Sequence, residues 1–315
     1  MTLAIGIDAG GSTLRAALVD PAGKVVRAVR HRLGGRAPES VLRQLERVVA
    51  DLGSIDSDAP MAVGLAGFIR LETGVVALSP NLGWREVPFG SMLSDLFGRQ
   101  VRLVNDLGAT AIGEAACGAG RGASDLVCVF VGTGVGMGAV VGGHVLEGSD
   151  GLAAELGHVR VAPPDTGRRC GCGETGCLEA YTSGRHLPDL LAEKVAAGTP
   201  SRLLDEVDGD LTLLDAGRIE AAAMDGDAAA VELWGEVAEH LGRELGNLLT
   251  LFGPRVLVLG GGVLLAAPSL KAQVVERLRV YAGKPQLDEV DICDSELGEH
   301  AGLVGAGLLA HGIRR

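Results

Sequence analysis
One pattern in this chain is written twice, and it limits the fold more than any other feature. Residues 3–7 read as a short apolar strand and Asp8-Ala9-Gly10-Gly11-Ser12-Thr13 as a glycine loop. Residues 14–19 follow as a second strand, Asp20-Pro21-Ala22-Gly23 as a tight turn, and residues 24–29 as a third strand. At residue 126 the same order starts again: strand 126–131, the loop Gly132-Thr133-Gly134-Val135-Gly136, strand 137–141, a Gly142-Gly143 turn, and strand 144–146. A duplicated meander of this kind predicts two α/β lobes whose glycine loops face one cleft. Size agrees, because 315 residues with 47% hydrophobic side chains exceed what one ordinary core accommodates.

Between and after the repeats, apolar spacing fills in the lobes. Val41, Leu42, Leu45, Val48 and Val49 recur at helical intervals over 38–52, Met61–Leu65 is a short buried strand, and 102–104 is a further strand of the parallel type. It turns through Asn105-Asp106 into a helix over 107–116. A long helical region, 216–251, has a break signal at Asp225-Gly226-Asp227, and strand 255–259 ends in a third glycine run, Gly260-Gly261-Gly262. Residues 302–311 are small and apolar, as a closely packed terminal helix requires. The expected division is a first lobe over 1–115 and a second over 116–301, with a C-terminal helix of about 302–315 returning to the first.

The formal charge of -12 offers no broad positive field for a nucleic-acid backbone or an anionic membrane, so neither is an expected partner. A nucleotide remains compatible, because backbone N–H groups and a magnesium ion suffice to hold its phosphates. The opening MTLAIGIDAGG has no basic segment before an apolar core, and no stretch has the length and apolarity of a membrane span, which predicts a soluble, cytoplasmic protein. Of six cysteines, three crowd together at Cys170, Cys172 and Cys177, a metal spacing more than a disulfide framework. The 49 glycines have no fixed period and cluster where apolar runs end, which suits tight turns and close backbone approach to ligands.

Four groups of residues are candidates for chemistry. Asp8 ends the first strand where magnesium can be held through water, with the hydroxyls of Ser12 and Thr13 beside the free N–H groups of Gly10 and Gly11. Gly132-Thr133-Gly134 offers a second phosphate nest, and the 260–262 run lets a purine and its ribose approach the backbone. His158, Cys170, Cys172 and Cys177 supply one imidazole and three thiolates, the ligand set of a closed tetrahedral zinc; with no open position, that zinc is structural. Asp106, where a buried strand feeds a helix, is placed either to accept a proton from a substrate hydroxyl or to cap the helix. Asn105, Glu155 and Glu179 are polar groups available to other hydroxyls of such a substrate.

The run from Gly151 to His158, with Glu155-Leu156-Gly157-His158, and the run Cys170-Gly171-Cys172-Gly173-Glu174-Thr175-Gly176-Cys177-Leu178-Glu179 resemble the E-x-G-H and C-x-C-G-x-x-G-C-x-E motifs of the ROK family of repressors, open reading frames and sugar kinases. The resemblance extends through the Asp8 loop, Ser79-Pro80-Asn81-Leu82, Val104-Asn105-Asp106, residues 131–136, residues 259–263 and residues 297–303. It implies a two-lobed actin-like ATPase fold, in which a ribonuclease H-like unit is duplicated, with a zinc-binding loop. It also implies Asp106 as general base and Gly67, Asn105, Glu155, His158 and Glu179 as sugar contacts, His158 through the ring edge turned away from zinc. The two phosphate motifs would be the Asp8 loop and Gly132-Thr133-Gly134, and the adenosine motif Gly261-Gly262. ATP with magnesium and a structural zinc are then the cofactors, and a homodimer or higher homo-oligomer the family expectation.

Within the family, the set Asn105, Asp106, Glu155, His158 and Glu179 resembles that of glucokinases, making glucose 6-phosphate the expected product. Kinases for N-acetylmannosamine, N-acetylglucosamine, allose or fructose share most of it. The family's repressors carry a winged helix ahead of the sugar-binding portion, and with a first strand beginning at Leu3 none is expected here. Two departures stand out: Ser12-Thr13 replaces a usual Thr-Lys, and Gly64-Leu65-Ala66-Gly67-Phe68 lacks the usual Pro-Gly pair.

Overall fold
The computed structural model describes residues 2–313, so that Met1, Arg314 and Arg315 of the expected lobe boundaries lie outside the described residues. The strands are β1 (Ala4–Ala9), β2 (Thr13–Val19), β3 (Val25–Arg32), β4 (Met61–Leu65), β5 (Phe68–Arg70), β6 (Val75–Ser79), β7 (Trp84–Val87), β8 (Val101–Asn105), β9 (Leu126–Val131), β10 (Val135–Val141), β11 (His144–Val145), β12 (Val256–Gly260) and β13 (Asp291–Asp294). Two five-stranded sheets have orders β3-β2-β1-β4-β8 and β11-β10-β9-β12-β13. In each, three antiparallel strands form the meander and two parallel strands extend it through β1 or β9. The duplication read from the sequence is therefore the architecture, and the expected two-lobed actin-like fold is borne out.

The glycine loops follow from strand ends. Ala9 pairs with Leu14 and Gly10 N–H donates to the Thr13 carbonyl at 3.0 Å, which closes the first loop between antiparallel strands. The second loop is shorter than expected. It ends at Gly134, because Val135 pairs with Val131 and Gly136 already belongs to β10. Gly136 and Gly138 serve packing instead: a Cβ on Gly138 would lie 1.9 Å from the Leu107 carbonyl oxygen, so only bare backbone lets the helix Asp106–Cys117 cross β10.

That helix lies between the sheets. The terminal helix Ala301–Ala310 packs along it and over β1 and β4. A Cβ on Gly305 would sit 1.7 Å from the Ala109 carbonyl oxygen, and one on Gly113 2.3 Å from that of Ala301. Helix-on-helix contact is thus a third use of glycine, beyond turns and ligand approach. The second lobe's core gathers Val129, Leu233, Trp234 and Leu245 beneath its sheet, and the Trp234 indole donates to Glu220 at 2.7 Å. The break expected in the long helical region falls where Asp227 caps Ala228–Phe252 by accepting from Ala230 N–H. The small sheet β5-β6-β7 was not expected; its strands of three to five residues are too short for alternation to register.

Candidate active site
A cavity of about 320 Å³ opens between the two sheets, lined from the first by Gly11, Gly67, Asn105 and Asp106 and from the second by Gly132, Thr133, Gly134, Glu155, His158, Glu179 and Gly261. Asp106 reaches it because β8 stops one residue earlier. The helix cap is Asn105 and not Asp106: the Asn105 Oδ1 accepts from Leu107 N–H at 2.9 Å and Gly108 N–H at 3.2 Å, while its amide donates to the Gly67 carbonyl at 3.2 Å. One side chain thereby fixes both the helix start and the Gly67 loop. Gly67 has φ +149°, and a Cβ there would meet the Leu78 carbonyl oxygen at 2.7 Å.

Removal from water, aided by the nearby charge of Asp8, pushes the Asp106 pKa up to about 7. Burial, and then the charges of Asp106 and Glu179, raise Glu155 to about 7 as well. Glu155 follows Ala154, a non-glycine residue at φ +66°, a strained conformation held at the cavity wall. Asp8 stands behind the lining, its carboxylate 3.2 Å from Arg15 Nη1; burial raises its pKa against the pull of that guanidinium. Gly10, Ser12, Thr13 and Gly262 likewise stand outside the lining.

The four sequence-predicted metal ligands do converge. The donor atoms of His158, Cys170, Cys172 and Cys177 lie within 4.8 Å of one another, and all six cysteines are free thiols. His158 turns Nδ1 toward the Cys170 sulfur at 3.8 Å, and burial holds its pKa below the ordinary value, which favours the neutral imidazole that ligates metal. This chemistry and clustering fit zinc. Cys170 N–H donates to Glu174 carbonyl oxygen at 2.7 Å, and isolated bridges join Arg160 to Cys177 and Arg169 to Thr175, so the loop folds around the site. Glu179 connects loop to cleft: its Oε2 accepts from Val135 N–H at 3.0 Å, and its Oε1 lies 3.8 Å from the Cys170 sulfur.

The model of the ROK family matches residues 4–313. The chain belongs to the ROK family. It is 34% identical over 304 residues to a glucokinase of Thermotoga maritima, covering 96% of this chain and 95% of the relative, and 33% identical over 319 residues to a glucokinase of Streptomyces coelicolor, covering 98% of each. Among solved structures, a ROK family glucokinase from Streptomyces griseus, in complex with glucose and AMPPNP, superposes with a TM-score of 0.83 at 33% identity, covering 98% of this chain and 99% of that one.

In this ROK protein several cavity residues escaped the sequence reading of roles. Phe68 stacks on the His158 ring with centroids 5.3 Å apart, joining the first lobe's Gly67 loop to the zinc loop. Asn81 lines the cavity against Gly11, and Arg185 donates to Asn81 Oδ1 at 2.8 Å across the cleft. The only available signal was position: Phe68 follows Gly67, and Asn81 lies in a motif stretch. Among the described residues no helix is long and apolar enough to cross a membrane.

Proposed function
We propose that this ROK protein transfers the γ-phosphoryl group of ATP to a hydroxyl of glucose, forming glucose 6-phosphate, with Asp106 as the general base. The observation that carries this reading is the position of Asp106: a carboxylate with a pKa near 7, fixed at the start of a helix that lies between both sheets, facing a cavity lined by glycine loops and by Glu155, His158 and Glu179. A base poised near the working pH accepts the hydroxyl proton as the phosphoryl group arrives in line.

Asn105, Glu155, Glu179, the Gly67 backbone and the free edge of the His158 ring hold the sugar hydroxyls. Gly11 and the 132–134 loop receive the phosphates, and Gly261 with Gly262 the adenosine. Magnesium, when bound with ATP, neutralises phosphate charge; Asp8 is the carboxylate placed to hold it through water. His158, Cys170, Cys172 and Cys177 would hold a structural zinc, and it would fix the loop carrying His158 and Glu179. The lobes divide near residue 115, where the helix from Asp106 ends and the second repeat is about to begin.

The test is ADP release with a panel of sugars. Glucose should give the highest kcat/KM; a higher value with N-acetylmannosamine, N-acetylglucosamine, allose or fructose would move the substrate assignment, and no turnover with any sugar would remove the kinase reading.

A further inference from the structure
The cavity lining contains no lysine or arginine, although three carboxylates line it and Asp8 stands just behind. Backbone N–H groups and one divalent ion suffice to hold a triphosphate, and a guanidinium added to them in such an acidic site strengthens the hold. The first glycine loop supplies none, since Ser12-Thr13 is uncharged, and Arg15 is already paired with Asp8 and Glu299.

Arg185 is a cation linked to both phosphate loops. Its neighbour Gly184 donates N–H to the Gly132 carbonyl at 2.8 Å, which ties it to the second loop. Its Nη2 crosses the cleft to Asn81 Oδ1 at 2.8 Å, and Asn81 packs on Gly11 of the first loop. Its Nη1 lies beside Gly171 of the zinc loop, so close that a Cβ there would be 3.0 Å away. The side chain is exposed and has no carboxylate within ion-pair distance among the described residues. A neutral amide is a weak partner for a guanidinium that stands between two phosphate nests.

We propose that Arg185 is a nucleotide-binding residue whose guanidinium exchanges the Asn81 amide for β- or γ-phosphate oxygens when ATP enters. The inference rests on the ATP-phosphotransfer reading. Exchange of a neutral acceptor for an anionic one strengthens the bond and places positive charge beside the phosphates during transfer. Because Asn81 belongs to the first lobe and Arg185 to the second, the switch also moves the guanidinium from an interlobe contact onto substrate.

The experiment is calorimetric titration of AMPPNP with magnesium into the parent and into Arg185→Ala, Arg185→Gln, Arg185→Lys and Asn81→Ala, each with zinc content measured. Loss of one charge-assisted phosphate contact should weaken AMPPNP about tenfold or more in Arg185→Ala and Arg185→Gln, with part of the affinity regained in Arg185→Lys. Asn81→Ala should bind at least as tightly as the parent, since it removes only the competing acceptor. Unchanged AMPPNP affinity in both neutral variants overturns the proposal. So does Asn81→Ala weakening binding as much as Arg185→Ala, which would make the pair an interlobe tie. A parent that binds AMPPNP but phosphorylates no sugar would remove the glucose reading and leave this test standing, whereas a parent that binds none overturns both.

Discussion

The two sheets are built alike, and they spend equivalent positions differently. β4 runs out into Ala66-Gly67 and β12 into Gly261-Gly262, each with a glycine at positive φ, +149° and +93°, lining the same cavity. Beside them, the last parallel strands diverge. β8 ends in Asn105-Asp106, where one residue caps a helix and the next presents a carboxylate with a raised pKa. β13 ends at Asp294, and the following residues are held by Glu114: its carboxylate accepts from Ser295 Oγ at 2.5 Å and Leu297 N–H at 3.1 Å, and from Ala119 N–H at 2.9 Å. Glu114 thus ties the segment that follows its own helix to the segment that follows β13. One copy of the unit presents the carboxylate proposed as the base, and the other copy's matching edge is tied down by Glu114. Duplication supplies two sheets of the same strand order; different side chains stand at their matching edges.

The largest break in that comparison should come from Asp106. Asp106→Asn keeps the shape but cannot accept a proton, and kcat should fall about a thousandfold by steady-state assay with sugar affinity retained. The same change should raise the melting temperature. The folded pKa of about 7 exceeds the ordinary 3.8, so the folded state holds a proton that the unfolded chain releases; stability falls as pH climbs between those values and then levels. The gain over the parent in thermal unfolding should therefore be greatest above about pH 7 and vanish near pH 4.

Loss of the zinc loop comes next. Cys172→Ser should lose zinc by metal analysis and reduce kcat/KM about a hundredfold, because His158 and Glu179 lose their mount. Full activity in zinc-free protein would show that the loop holds its shape without metal.

A smaller and more selective effect separates the paired glycines. A Cβ on Gly67 meets the Leu78 carbonyl oxygen at 2.7 Å, and one on Gly261 meets that of Val131 at 2.4 Å. Gly67→Ala should raise the sugar KM and Gly261→Ala the ATP KM, each about tenfold, with the other constant nearly unchanged. Equal effects of both variants on both constants would dissolve the assigned division between the edges.

The gentlest test is the pH profile. Since the base must be ionised, kcat/KM for sugar should fall about tenfold per unit below a pKa near 7. Asp8→Asn should move this limb to lower pH, because it removes a like charge that raises the Asp106 pKa, even where its loss of magnesium binding lowers the rate. Gly261→Ala, on the other sheet, should leave the limb in place.

Local chemistry made much of this protein legible before folding. The duplicated meander, the helix break before Asp227 and the grouping of His158 with three cysteines are all readable from patterns along the sequence, where apolar alternation, caps and ligand types act directly. The strand-to-helix switch marked Asp106, yet spacing did not tell cap from base. Only the side-chain bonds of Asn105 show which residue closes the helix. Glycines also look alike in sequence; that Gly138 admits a helix while Gly134 ends a loop depends on what crosses above them.

What tertiary structure alone decided are meetings between distant segments. Phe68 stacks on His158, Arg185 reaches Asn81, and Glu114 gathers Ser295 and Leu297, none of which any periodicity encodes. The raised pKa of Asp106 belongs to the same class. A carboxylate has its ordinary pKa in the unfolded chain, and this one is raised to about 7 only when folding removes its water and brings Asp8 alongside.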